Sequence, residues 1–300
     1  NIDESKVPHY TLPDPLKLEN GEPVFDARTW REKRRPEIIR LFQEHQEGIT
    51  PSASFTPRYE FFEKNAPALK GQARRTQVRI RFSEEKDTPV IRVLIHVPSG
   101  AESPFPMLLH LGFSPSVLIL DEPGLDEGTV WSGKTKTRIP DREANRVGEF
   151  DIKYFVERGY GVAYVYYGDI DPDHQDGASH GIRALFGPQD KPRRPNEWGT
   201  IASWAWGLSR IMDYLENHPE IDPGKVALSG VSRLGKAVLW AAALDERFSL
   251  IIPMLSGEGG AAISRRKYGE TIYDLTLPER FHYWFAPGYA DYADNMNALP

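Results

Sequence analysis

Residues 229–236 read Ser-Gly-Val-Ser-Arg-Leu-Gly-Lys, a serine among glycines directly after an apolar run. A serine at a strand-to-helix turn can serve as a nucleophile. The sharp turn lifts its hydroxyl out of the sheet, and the following helix aims free amides and its positive dipole end at a developing oxyanion. Gly230 and Gly235 would let strand and helix pack closely around that turn. The spacing is G-x-S-x-x-G, one residue longer than the usual elbow. The competing reading is that Ser232 merely caps the helix; its place between an apolar run and an alanine-rich segment favours the nucleophile. Arg233 sits at the first helical position, where a cation opposes the dipole. Contact with an oxyanion or an anionic substrate would offset that cost. Lys236 follows one turn later on nearly the same face, a spacing that fits an ordinary solvated lysine equally well.

The elements needed to hold that turn are legible in the hydrophobic pattern. Residues 107–113 (MLLHLGF) and 161–167 (GVAYVYY) are nearly continuous apolar runs, as strands covered on both faces should be. Residues 225–229 form the strand entering the turn, and 249–255 the strand after it. Helices are expected at 150–158, stopped by Gly159, at 200–217 and at 234–244. Residues 78–82 and 91–97 alternate instead, and predict antiparallel strands at the sheet edge. Upstream, 26–46 is a charged amphipathic helix with Pro36 near an internal break. Residues 114–148 form a long loop of the kind that is functional or partly disordered. Strand and helix in alternation specify an α/β fold with a mostly parallel, doubly wound sheet. With no repeat or linker visible, the chain reads as one domain over 1–300, with residues 1–25 an extended arm.

Composition narrows the function. The formal net charge is −6 over 300 residues, which disfavours a broad polyanion-binding surface and with it nucleic acid. No apolar run approaches the roughly 18–20 residues of a membrane helix, so no membrane partner is expected. With no cysteine, disulfides and thiolate metal sites are excluded. The chain opens on Asn rather than Met, which predicts a processed N-terminus.

Beyond the turn, the segment resembles the G-[CV]-S-R-x-G-K elbow of the glucuronoyl esterases, carbohydrate esterase family 15. Supporting segments are GDIDPD (168–173), GIRALF (181–186), EWGTIASWAWGLSRIMDYLE (197–216), SGEGGAAISRRKYGET (256–271) and WFAPGYADYADN (284–295). The similarity runs over roughly 25–300 and is greatest to the bacterial branch, where Val231 replaces the cysteine of fungal members. The resemblance implies an α/β-hydrolase, a three-layer sandwich, that acts through an acyl-enzyme with no cofactor and no metal. Its substrate would be the ester between 4-O-methyl-glucuronic acid of glucuronoxylan and lignin alcohols. It further implies Ser232 as nucleophile, Arg233 as oxyanion stabiliser, and Lys236 and Glu270 as sugar-binding residues. A secreted or periplasmic monomer is expected.

A serine hydrolase also needs a base and an acid, in the chain order Ser, acid, His for this fold. Of eight histidines only His282 follows Ser232, and it lies in an aromatic cluster that reads as packing. The resemblance places the catalytic His farther on, so the sequence is expected to be a C-terminally truncated form of a longer protein. Leu255 occupies the position of the fungal acid, and Glu258 is a fallback for which a structural role is favoured.

Other constellations carry less. The loop 169–176 holds four Asp and one His, but lacks the EF-hand glycine and terminal glutamate. It reads as a proline-stiffened loop at a strand's carboxyl end, where an open sheet places its site. His-Leu-Gly-Phe at 110–113 could provide a second oxyanion amide or be an ordinary strand-end turn. The basic stretches 31–36 and 191–195 read as solvated, the second with a possible pull on acidic polysaccharide. Two other functions remain open: an acetylxylan esterase, which has little use for both cations, and a non-catalytic carbohydrate-binding relative.

Overall fold

The computed structural model describes residues 1–52, 55–85 and 88–300. Two compact units emerge, one comprising Asn1–Thr50, Pro192–Ala202 and Ser256–Pro300, the other Pro51–Lys191 and Ser203–Leu255.

In the first unit, helix α1 (Arg35–His45) is entered through a wide π-turn, Trp30–Arg34. Pro36 has no N–H to close an ordinary turn. The Arg35 amide instead reaches Trp30 O, five residues back, so the chain stays helical where the sequence suggested a break. The unit's three segments are tied by backbone bonds, among them Gly199 N–H to Glu47 O (3.0 Å) and Gly288 N–H to Pro195 O (2.8 Å).

The second unit is built on a seven-stranded sheet. Its strands are β1 (Arg58–Ala68), β2 (Ala73–Arg81), β3 (Val90–Pro98), β4 (Phe105–Gly112), β7 (Gly161–Tyr166), β8 (Ile221–Val231) and β9 (Phe248–Met254), in spatial order β1-β2-β3-β7-β4-β8-β9. The strands from β7 to β9 pair in parallel, whereas β1, β2, β3 and β7 pair antiparallel in turn. Strands β4 and β7 are buried almost throughout, consistent with their continuous apolar runs. On one face, Leu94, Val162 and Tyr164 pack against Ile152 and Val156 of helix α2 (Ile152–Val156) and Val117 of the following-strand loop. Gly159 ends that segment with φ +84°, which only glycine adopts freely.

Two expectations about the sheet are corrected. Strand β2 is longer than residues 78–82 and is not the edge; β1 covers it. The signal for β1 is weak because two register irregularities, with Asn65 at φ 55°, interrupt its alternation. The stretch 114–148 also contains structure that periodicity did not show. A two-stranded hairpin, β5 (Thr129–Ser132) and β6 (Thr137–Pro140), stands there, too short to carry a pattern.

Two further helices complete the unit: α3 (Thr200–Glu216), whose residues from Ser203 onward belong here, and α4 (Arg233–Leu244). Helix α4 packs on β8 and β9.

Candidate active site

The turn from β8 into α4 carries Ser232 with φ 57° and ψ −125°. A residue with a Cβ pays about 1–3 kcal/mol for such a backbone. Local bonds hold it: Ser232 N–H donates to Met254 O of β9 (2.8 Å), and Lys236 N–H to Ser232 O (3.2 Å). Gly230 is essential to the tight return. A Cβ built there would lie 2.6 Å from Leu234 O, the backbone of the helix just begun. Ser232 is not an N-cap in the ordinary sense, since its side chain makes no capping bond. The amides at the start of α4, by contrast, have no intrahelical acceptor and carry the positive end of the dipole.

Strand register brings three more elements to this edge. Leu111 pairs with Gly230 and Gly112 with Tyr166, so Phe113, just beyond β4, stands level with Ser232 and Tyr167. Arg233 lies over the Phe113 ring, 5.8 Å from its centroid. Its guanidinium is ion-paired to Asp173, whose side chain is only 6% exposed. Burial, with help from the Asp173 charge, pushes the Tyr167 phenol up to about 12; it stays a neutral wall of the site near Arg233.

The acidic loop after β7 is therefore an anchor, its four carboxylates spread over four different cations. Asp169 holds Arg92 (2.8 Å), Asp171 holds Arg183 (2.6 Å), Asp173 holds Arg233, and Asp176 holds Lys136 (2.6 Å). Among the described residues no group of three or more His, Asp or Glu converges as a metal would require. Asp171 is fully buried, also accepting from Ser203 Oγ (2.7 Å), while its carbonyl accepts from Trp204 Nε1 (2.8 Å). That core clamp, two residues from Asp173, stiffens the turn presenting it. The role of Asp173 was not singled out from sequence. Its one signal was a proline-stiffened acidic loop at a parallel strand's carboxyl end.

Lys236 is 4% exposed, so the solvated-lysine reading is overturned. A lysine that deep, one helical turn from Ser232, belongs to the packed interior rather than to solvent. Glu270 belongs to the first unit, where its carboxylate pairs with Arg280 (3.4 Å). Glu258, in the same unit, is 4% exposed and accepts from Tyr289 Oη (3.1 Å), a structural placement. His282 packs edge-on against Tyr283, 5.7 Å between ring centroids. Leu255 follows β9 at φ 52° and is 84% exposed. No histidine among the described residues hydrogen-bonds the Ser232 hydroxyl.

His110 lies inside β4 rather than in a turn. It shares a hydrogen bond with Ser229 Oγ (2.8 Å) and stacks on Phe150, centroids 4.0 Å apart. Burial lowers its pKa to about 4, so it is neutral and structural.

The chain is similar in sequence and fold to known proteins. A family model described as "Glucuronyl esterase, fungi" matches residues 158–300. A carbohydrate esterase of an unknown prokaryotic organism is 42% identical over all of this chain, which spans 70% of that protein. The solved glucuronoyl esterase from Solibacter usitatus is 42% identical, with a TM-score of 0.91 over 99% of this chain and 76% of that one. The 4-O-methyl-glucuronoyl methylesterase of Schizophyllum commune is 27% identical over 96% of this chain, which spans 62% of its length.

Proposed function

The chain belongs to carbohydrate esterase family 15, and from that premise we propose that it is a serine esterase cleaving glucuronoyl esters. The observation that carries the assignment is the backbone of Ser232, held at φ 57° between a parallel strand and a helix N-terminus. The Ser232 hydroxyl attacks the ester carbonyl while a general base takes its proton. The C–O bond to the alcohol breaks, and the uronoyl group stays on Ser232 Oγ until water releases it. During both steps negative charge gathers on the carbonyl oxygen. The first amides of α4 and the Arg233 guanidinium would stabilise it.

The acyl side explains why two cations adjoin the serine. A glucuronoyl group brings a hydroxylated ring next to the oxyanion, and Lys236, one helical turn from Ser232, can donate to those hydroxyls. The natural substrate class is the ester between glucuronic acid on xylan and a lignin-type alcohol, met outside the cytoplasm. Hydrolysis of benzyl glucuronate by the full-length protein tests the reading. Turnover is expected, and Ser232→Ala should abolish it. Release of acetate from acetylated xylan with benzyl glucuronate untouched would overturn it.

A further inference from the structure

We propose that a groove at the antiparallel end of this same sheet edge binds a second, carboxylate-bearing stretch of polysaccharide, with Arg138 as its anchoring cation. The proposal extends the esterase reading and rests on it for the nature of the chain.

Two cavities, of about 360 Å3 and about 480 Å3, share Thr88, Pro89 and Arg138 and so form one continuous groove. Arg79, Arg81 and Arg92 wall the first; Phe55, Phe82 and His180 wall the second. Its place follows from topology. Strand β3 runs antiparallel to β7, with Val93 opposite Val165, so Val90 and Arg92 lie at the carboxyl end of β7. That is the edge on which Ser232 stands. From β8 across β4 and β7 to β3 is three strand spacings, about 14 Å. One uronoyl group held at Ser232 cannot span that; a polysaccharide chain can.

The charges in the groove are layered. The guanidinium groups line it together with Asp169 and Glu127, while Asp126 and Asp141, which balance Arg79 and Arg92, are buried behind. Arg79 is 31% exposed and its partner Asp126 5%; Arg92 is 14% exposed, with Asp141 at 1% and Asp169 at 6%. Arg81 gives its Nε to Glu60 (2.9 Å), leaving its two fork nitrogens. Arg138, exposed on β6, donates to His180 O (2.8 Å) and pairs with no carboxylate among the described residues. A planar fork with donors to spare matches a carboxylate. Glu127 is taken up by Arg142 (2.6 Å), and Glu85 is the acid lining the second cavity. Beside Arg138 aromatic rings join a lining that stays mostly polar. The His180 ring stacks on Trp131 with centroids 3.6 Å apart, and Phe55 meets Phe82 edge-on at 6.3 Å. A mostly polar lining with a few aromatic rings and convergent cationic donors suits a hydroxylated sugar chain with a carboxylate alongside.

The test compares full-length wild type with Arg138→Gln, and with Arg81→Gln as an independent second variant. Binding of a uronate-bearing xylo-oligosaccharide and of a neutral one of equal length is measured by calorimetry. The kcat/KM ratio between glucuronoxylan ester and benzyl glucuronate is read alongside. Arg138→Gln should weaken the uronate oligosaccharide about tenfold, with reduced salt dependence, and lower the kcat/KM ratio by a similar factor. Arg81→Gln should act in the same direction. Equal loss for the neutral oligosaccharide, or no loss for either, overturns the carboxylate site. Failure of wild type to turn over benzyl glucuronate would instead remove the esterase reading, while the binding comparison still judges the groove.

Discussion

The parallel and antiparallel ends of the large sheet are built on different physics. Strands β7 and β4 are apolar runs buried almost throughout, β8 is largely buried from Val226 on, and their carboxyl ends lead into Tyr167, Phe113 and Ser232. Strand β2 instead carries Arg74, Arg75, Arg79 and Arg81, each matched to a carboxylate: Glu220, Glu63, Asp126 and Glu60 respectively. Such ion pairs add little net stability when half-exposed, but they dictate register, because a slip would strand charges. The parallel end supplies a rigid frame for one reactive serine. The antiparallel end supplies a cationic surface that can hold a long ligand without reacting with it.

That division can be broken most forcefully at the reactive end. Ser232→Ala should lower kcat on benzyl glucuronate by about 10⁴–10⁶-fold with circular dichroism and unfolding temperature unchanged. Residual turnover within tenfold of wild type would mean the chemistry lies elsewhere. Gly230→Ala attacks the frame. Its Cβ would press on the Leu234 carbonyl, so urea denaturation should show a loss of about 3 kcal/mol. A loss under 0.5 kcal/mol would show that the turn is looser than its geometry states.

Each end also buries one histidine, His110 in β4 and His96 in β3. Burial lowers them to about 4 and about 3 respectively, with Arg75 contributing at His96. Both folded values lie below the unfolded one, so the unfolded chain takes up protons first. The stability from keeping each ring neutral is complete above about pH 6.5 and is lost as pH falls toward 4. Between pH 6.5 and 5 each contributes a loss of about 2 kcal/mol. His110→Asn should flatten the wild-type pH dependence by that amount in urea titrations at the two pH values. An unchanged slope would count against burial as the cause.

The subtlest change is Asp173→Asn, which keeps a hydrogen-bonding group but removes the charge that fixes Arg233. A fall in kcat of about 10–100-fold with KM nearly constant is expected, since Arg233 would act on the transition state more than on bound substrate. A rise in KM alone would make Asp173 a substrate-binding group.

Legibility followed the same division. The runs at 107–113 and 161–167 marked strands because burial on both faces leaves no room for polar residues; the run at 249–255 is apolar too, yet as the last strand in the sheet order it leaves Leu250, Ile252 and Met254 exposed. The elbow stood out because glycines and a serine are needed at fixed offsets. Strand β1 went unread because its bulges break the alternation. The hairpin β5–β6 was missed because four-residue strands carry no period. At the site, Arg233 was visible as a cation in an electrostatically poor place, yet its partner was one of four similar aspartates.

What the amino-acid order determined by itself was chemical identity and local conformation: a serine that must turn sharply, two cations after it, apolar strands around it. Only tertiary structure decided which aspartate meets which cation, that Lys236 is buried, and that Arg138 pairs with no carboxylate among the described residues. Those outcomes depend on strand order, register and loop path, which join residues from 12 to 77 positions apart. Periodicity of 2.0 or 3.6 residues carries no information over such distances.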